Sequence, residues 1–272
     1  MATKAQIKQM ERIAAILESG EVSPKDRGYV FDNYIPSAMG AKRASQYFTP
    51  YKLALEAAYH ATGGIKTVLD LCAGIGMLSY AIMIAENYGA VQLGSIQRIV
   101  AIERDAELVA VGKKLLPMID WYCGDIFDAD FIKHVYAHNG GRFDVCVTNP
   151  PYGIKSRYDW LNYKGRSHLA AVEVAARVSD AVIAILPGMD VPNMAKANVS
   201  IDRRYEDDRG EIVKFMQANP SLLFEATCVD CTVYRNEWVG ASPDVELVSI
   251  SGSNGDAIEM SLFDRVGQLS LL

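Results

Sequence analysis

Short apolar runs, each closed by a glycine, a proline or an acid, alternate along most of this chain with longer stretches whose apolar residues recur at helical spacing. Such runs predict strands buried on both faces, and their alternation with helices predicts a parallel sheet in an α/β domain. The first run, Ile65-Lys66-Thr67-Val68-Leu69-Asp70-Leu71, opens into Cys72-Ala73-Gly74-Ile75-Gly76, and residues 77–85 then read as an apolar helix. A second, Arg98-Ile99-Val100-Ala101-Ile102, ends in Glu103, and a third, around residues 119–122, ends in Gly124-Asp125-Ile126-Phe127. Phe143-Asp144-Val145-Cys146-Val147 is the fourth and runs into Asn149-Pro150-Pro151-Tyr152. Residues 167–178 read as a helix, and Ala181-Val182-Ile183-Ala184-Ile185-Leu186 as a fifth strand closed by Pro187-Gly188. Residues 224–234 and 245–250 read as an antiparallel pair that closes the sheet.

The flanks are less regular. Residues 5–18 place Ile7, Met10, Ile13, Ala14 and Leu17 on one face of a helix that ends near Gly20, the pattern of a packing or capping helix. Residues 24–45 read as loop, and residues 189–220 as a polar insertion. The expected organisation is an N-terminal helix and lead-in over residues 1–44, a main domain over 45–255, and a tail over 256–272.

Candidate chemistry gathers at the strand ends, where open α/β sheets bind their ligands. The side-chain oxygen of Asn149 and the carbonyl that precedes Pro151 can each accept one hydrogen from a planar amino group, which keeps the nitrogen lone pair out of conjugation and available for attack. Pro150 and Pro151 fix the backbone of the turn, and Tyr152 can lie flat on the ring that carries the amine. Gly74 and Gly76 let backbone approach a ligand closely. A Gly-x-Gly turn would also suit a nicotinamide cofactor, but Ser79 stands where that fingerprint needs its third glycine. Glu103 is placed to bind both hydroxyls of a ribose, and Asp125 to accept from an adenine amino group while Ile126 or Phe127 covers the ring.

With these residues in this order, the chain resembles the class I S-adenosylmethionine-dependent methyltransferases, and within them the amino-group DNA methyltransferases that modify adenine N6. Gln46-Tyr47-Phe48-Thr49-Pro50 resembles the segment those enzymes place ahead of the glycine turn for the methionine end of the cofactor, and that order is the one of the gamma class. The resemblance runs from about residue 45 to 186. It implies a seven-stranded Rossmann-like sheet, mostly parallel with one antiparallel strand, with helices on both faces. It further implies S-adenosyl-L-methionine bound by Phe48, Thr49, Pro50, Asp70, Ala73, Gly74, Gly76, Glu103, Asp125, Ile126, Phe127 and Asn149, a target base held by Asn149, Pro150, Pro151 and Tyr152, and no metal. Methyl transfer to an RNA adenine or to a protein glutamine would use the same grip on a planar amine. A cofactor-fold partner subunit without catalysis is the reading from another class.

Composition bears on the partners. The 272 residues are half hydrophobic, enough for one sheet domain, and the formal net charge of −6 means that contact with nucleic acid must be local. One segment suits it: residues 153–168 interleave Lys155, Arg157, Lys164 and Arg166 with Tyr158, Trp160 and Tyr163, cations for phosphates and rings for an extruded base. Cytosine C5 chemistry would need a nucleophilic cysteine, typically after proline, and the chain has no Pro-Cys pair. Cys72, Cys123 and Cys146 read as reduced core residues, and Cys228-Val229-Asp230-Cys231, lacking a second pair, as alternation in a strand rather than a metal site. No run approaches the roughly 20 apolar residues that span a bilayer, and the start carries no signal-peptide pattern, so the expected location is the cytoplasm without membrane attachment. The residues beyond 186 leave little for reading a base sequence, so specificity should be short, relaxed or supplied elsewhere. Gln268-Leu269-Ser270-Leu271-Leu272 resembles the peptides by which bacterial DNA-processing proteins dock on the replication sliding clamp, and Glu259-Met260-Ser261-Leu262-Phe263 is a weaker copy.

Overall fold

The computed structural model describes residues 4–34, 48–61, 64–87, 96–153, 158–188, 210–238, 243–253 and 255–262. In chain order these form α1 (Lys4–Glu18), α2 (Pro24–Asn33), α3 (Tyr51–His60), β1 (Thr67–Leu71), α4 (Met77–Asn87), β2 (Arg98–Glu103), α5 (Ala106–Leu115), β3 (Asp120–Cys123), α6 (Ala129–Asn139) and β4 (Val145–Thr148). There follow α7 (Ser167–Val178), β5 (Val182–Pro187), α8 (Glu211–Ala218), β6 (Leu222–Ala226), a 3₁₀ turn (Cys231–Glu237) and β7 (Val245–Gly252). The strands build one seven-stranded sheet in the order β3-β2-β1-β4-β5-β7-β6. β7 runs antiparallel to both neighbours, and every other pairing is parallel. This is the expected α/β architecture.

Strand periodicity divides the core between the two faces. Val68, Ala101, Val147 and Ile183 point to the side covered by α1 to α5, whereas Leu69, Ile102, Cys146 and Ala184 point to the side covered by α6 to α8. Because the chain winds outward from β1 to β3 and then returns to place β4 on the other side of β1, the turns after β1 and β4 lie next to each other. A crevice at the carboxyl end of the sheet opens at such a reversal.

All twelve residues of α7 are buried, including Glu173 and Arg177, which pair at 2.8 Å with both side chains fully enclosed. Such a pair costs desolvation and holds only if further hydrogen bonds complete it. Glu173 accepts from the backbone N–H groups of Asn162 (2.6 Å) and Tyr163 (2.8 Å), and Arg177 donates to the carbonyls of Ser261 (3.0 Å) and Leu262 (3.3 Å). The pair thereby fastens two irregular segments to one helix.

Several expectations are corrected. The supposed loop after Pro24 contains α2, which starts at a proline behind the cap Ser23, whose hydroxyl accepts from the N–H of Asp26 at 3.2 Å. The strand read over residues 224–234 stops at Ala226, because Cys228 adopts a positive φ of 61° and Asp230 then caps the 3₁₀ turn, so Cys228 and Cys231 do not alternate in a strand. The polar insertion holds α8, anchored by the buried Phe215; its residues 189–209 lie outside the described set. Cys123 is exposed rather than a core residue. The apolar face read on α1 is used at Ile13, while Ile7 and Met10 stay exposed. At the other end Ile258 is buried and Met260 gives its carbonyl to Arg142, so residues 256–262 pack on the sheet domain. Among the described residues no helix is long and apolar enough to cross a membrane, and no cluster of metal-ligating side chains occurs.

Candidate active site

The turn after β1 is built on left-handed backbone, with φ of 66° at Cys72, 58° at Gly74 and 93° at Gly76. Only glycine adopts this region without strain, and the ring of Phe48 lies 3.4 Å from where a Cβ on Gly74 would stand. Gly76 has a second reason, since a Cβ there would come within 2.9 Å of Leu116 and 3.1 Å of Trp121. Glu103 at the end of β2 ties this turn to the next, accepting from the N–H of Gly74 and of Asp105, each at 2.9 Å. Burial, above all, raises its carboxyl from the ordinary value. The thiol of Cys72 is pushed well up from its ordinary value, by burial and then by the charges of Glu103 and Asp70.

Asp70 is fully buried beneath the turn. Its Oδ2 accepts from the N–H (3.0 Å) and the hydroxyl (2.7 Å) of Ser79, so the residue in the third-glycine position joins β1 to the first turn of α4. Its Oδ1 has no hydrogen-bond partner. Burial raises this carboxyl to about 6 against the pull of the Ser79 bonds, and the charge of Glu103 adds to the rise.

After β3, Asp125 accepts from the N–H of Phe127 at 3.0 Å and faces Arg104 at 3.6 Å. Ile126 is buried, and Phe127 is stacked on Tyr158 with centroids 3.7 Å apart. One face of the expected ring cover is therefore already occupied.

The turn after β4 is joined to β1 by the hydroxyl of Thr148, which donates to the carbonyl of Leu71 at 2.6 Å. The Asn149 amide sits between two hydroxyls: its Nδ2 donates to Thr49 at 2.9 Å, and Tyr152 donates to its Oδ1 at 2.6 Å. The Tyr152 hydroxyl also lies 3.2 Å from the carbonyl of Ile185, and its ring is buried with the edge of His168 against it, centroids 6.0 Å apart. The Tyr152 side chain is buried with its hydroxyl braced on Asn149. Ser167, at the start of α7, holds the carbonyl of Pro151 at 3.0 Å.

Residues 158–168 of the basic segment are folded against the domain. Tyr158 and Tyr163 are buried, and the Trp160 indole donates to the carbonyl of Phe127 at 2.8 Å, so in this structure all three rings have packing partners. Lys164 is exposed with its ammonium on the carbonyl of Tyr158, and Arg166 is half-buried. Lys155, Arg157, Gln46, Tyr47 and residues 268–272 lie outside the described residues.

A cavity of about 340 Å³ adjoins Thr49, lined by Phe31 and Asp32 from α2, residues 48–52, Met77 and Glu237. Glu237 is paired with Lys52 at 2.6 Å, and burial followed by the charge of Glu237 raises the Asp32 carboxyl. Neither acid was marked by a motif. α2 lies in residues whose pattern reads as loop, and Glu237 reaches Lys52 across 185 residues of chain.

No protein-family model and no curated protein sequence matches this chain. Among solved structures it is similar to a modification subunit assigned to a type I restriction enzyme from Vibrio vulnificus, with TM-score 0.51, 10% identity, and 94% of this chain set against 51% of that one. An O-methyltransferase from Bacillus cereus in complex with SAH gives TM-score 0.43 and 13% identity over 93% of this chain and 91% of that one. A protein from Pyrococcus horikoshii assigned as an RNA methyltransferase gives 0.40 and 18% over 89% and 95%. The chain spans about half the length of the modification subunit, and at 10% identity what the two share is the fold, a Rossmann-like sheet of the methyltransferase type.

Proposed function

We propose that this chain moves a methyl group from S-adenosylmethionine to the N6 amino group of adenine in DNA. The observation that carries the reading is the Asn149 amide, fixed by hydrogen bonds on both sides at the end of β4 and set beside the glycine turn of β1. The restriction-enzyme subunit that shares the fold is in keeping with DNA as the acceptor.

Two features fit the cofactor. Phe48 packs on a glycine turn whose left-handed backbone disfavours any larger residue, and Glu103 spans the turns of β1 and β2 with a carboxylate able to accept further hydrogens. Phe48, Thr49, Gly74, Glu103 and Asp125 would hold it, and when bound it supplies an electrophilic methyl on sulfur. The protein supplies position. An adenine leaves its stack at a cost of a few kcal/mol when it starts paired. Asn149 Oδ1 accepts one hydrogen of its amine, and the carbonyl preceding Pro151 takes the other, which draws the nitrogen lone pair out of the ring. With the amine so aligned, orientation replaces acid–base chemistry as the source of rate. The thiol of Cys72 stays neutral and takes no part.

Tritiated methyl transfer to duplex DNA, ribosomal RNA and cell protein, run side by side with identification of the labelled product, tests this. Label in N6-methyladenine of DNA is the expected result. Label confined to RNA or to glutamine would move the acceptor, and no label with bound cofactor would refute the reading.

A further inference from the structure

Thr49 and Asn149 stand 100 residues apart in sequence, one ahead of the sheet's first strand and one after its fourth, yet their side chains meet at 2.9 Å. The chain of contacts continues from Asn149 to Tyr152 at 2.6 Å and from Tyr152 to the carbonyl of Ile185 at 3.2 Å. An amide presents either an acceptor oxygen or a donor NH2, and the two ends look alike in shape. Which of them braces against which hydroxyl decides what the exposed edge can grip.

We infer that Thr49 is a positioning residue which sets the polarity of the Asn149 amide, turning its oxygen toward the amine of the acceptor. Hydroxyls can donate or accept, so connectivity alone permits two polarities. The single proton of Tyr152 separates them. Its hydroxyl has two contacts, 2.6 Å to Asn149 and 3.2 Å to the carbonyl of Ile185, and gives the proton to the nearer, the amide oxygen, which leaves the amide nitrogen to donate to Thr49 at 2.9 Å. Thr49 therefore receives the amide nitrogen, and the oxygen is shared between Tyr152 and whatever donates from the crevice. Thr49 is buried, so its oxygen is held in place beside Asn149. The reverse polarity would offer NH2 to the crevice and would suit a carbonyl or an anion instead of an amine. The bond thus also carries acceptor selectivity: groups that donate hydrogens are taken, and groups that only accept are refused.

This inference rests on the proposed acceptor reading but is tested apart from it. Thr49→Val keeps the shape and removes the acceptor, while Thr49→Ser restores the hydroxyl. At saturating cofactor, kcat of Thr49→Val on duplex DNA should fall about a hundredfold, the scale of a small misplacement in a reacting pair, with recovery to within about threefold in Thr49→Ser. The second readout needs no activity. In protein labelled with ¹⁵N-asparagine, the Asn149 side-chain NH2 pair should shift and exchange faster with water in Thr49→Val and keep its wild-type position in Thr49→Ser. An NH2 pair that does not respond to Thr49→Val overturns the inference, as does kcat within threefold of wild type. Should the wild-type protein methylate none of the offered acceptors, the acceptor reading falls while the NH2 resonances still decide the role of Thr49.

Discussion

Asp70→Asn should remove a pH dependence that one buried carboxylate imposes on the stability of the fold. The group is fully enclosed, and burial lifts its pKa from 3.8 to about 6 despite two hydrogen bonds from Ser79. Between those two values the folded chain keeps a proton that the unfolded chain releases. Stability contributed by the group is therefore present below the unfolded value and is lost as the pH rises through about 6. A rise from 3.8 to about 6 corresponds to about 3 kcal/mol in full, of which about 2 kcal/mol falls between pH 4.5 and pH 8. Asparagine has the same outline and cannot ionise, and its carbonyl oxygen can still accept from Ser79. Urea denaturation of both proteins across that range is the assay. The stability of Asp70→Asn relative to wild type should rise by about 2 kcal/mol, a relative midpoint shift of about 0.7 M at a denaturant slope of about 3 kcal/mol/M. If the two stability curves stay parallel from pH 4.5 to 8, the carboxylate is not strained by its burial and the reasoning fails.

Asn149→Ala should abolish methyl transfer with cofactor affinity within a few-fold, and Glu103→Ala, which loses the tie to Gly74 and Asp105, should weaken the cofactor at least tenfold; titration calorimetry separates the two. Arg177→Met leaves Glu173 as an unpaired buried charge and should cost about 3–5 kcal/mol in thermal unfolding, part of it recovered by adding Glu173→Gln. Activity on DNA should fall steeply with salt, and alanine at Lys155, Arg157, Lys164 and Arg166 should reduce the slope by about 1 for each phosphate contact removed; an unchanged slope takes this segment out of the interface. A chain lacking residues 268–272 should no longer be retained by purified replication sliding clamp, and equal retention of both forms would sink that docking.

The central strands were legible because a strand covered on both faces must be apolar at nearly every position, as Val68, Leu69 and Leu71 are. α2 escaped for the opposite reason. Only Val30 and Phe31 are buried in it, too few for a period, although Ser23, Pro24 and Asp26 spell its start. The 3₁₀ turn was hidden behind apolar residues that suit a strand, and the positive φ of Cys228, which ends the strand, leaves no trace in residue type. Motifs named the members of the site but not their bonds. The inward turn of Tyr152 depends on the space beside His168 and the carbonyl of Ile185, both of which arrive from the following helix and strand.

Helix α7 meets the Asn149 turn through Ser167 and grips the carbonyls of Ser261 and Leu262 through Arg177, about 15 Å further along its axis. That geometry matters to anyone attaching cargo to the molecule. A dye, affinity handle or fused module attached at Leu262 sits on the Arg177 end of the helix, about 15 Å along the axis from its contact with the Asn149 turn. The same graft at Asn162 or Tyr163 would load Glu173, and through it the same buried pair from the other segment.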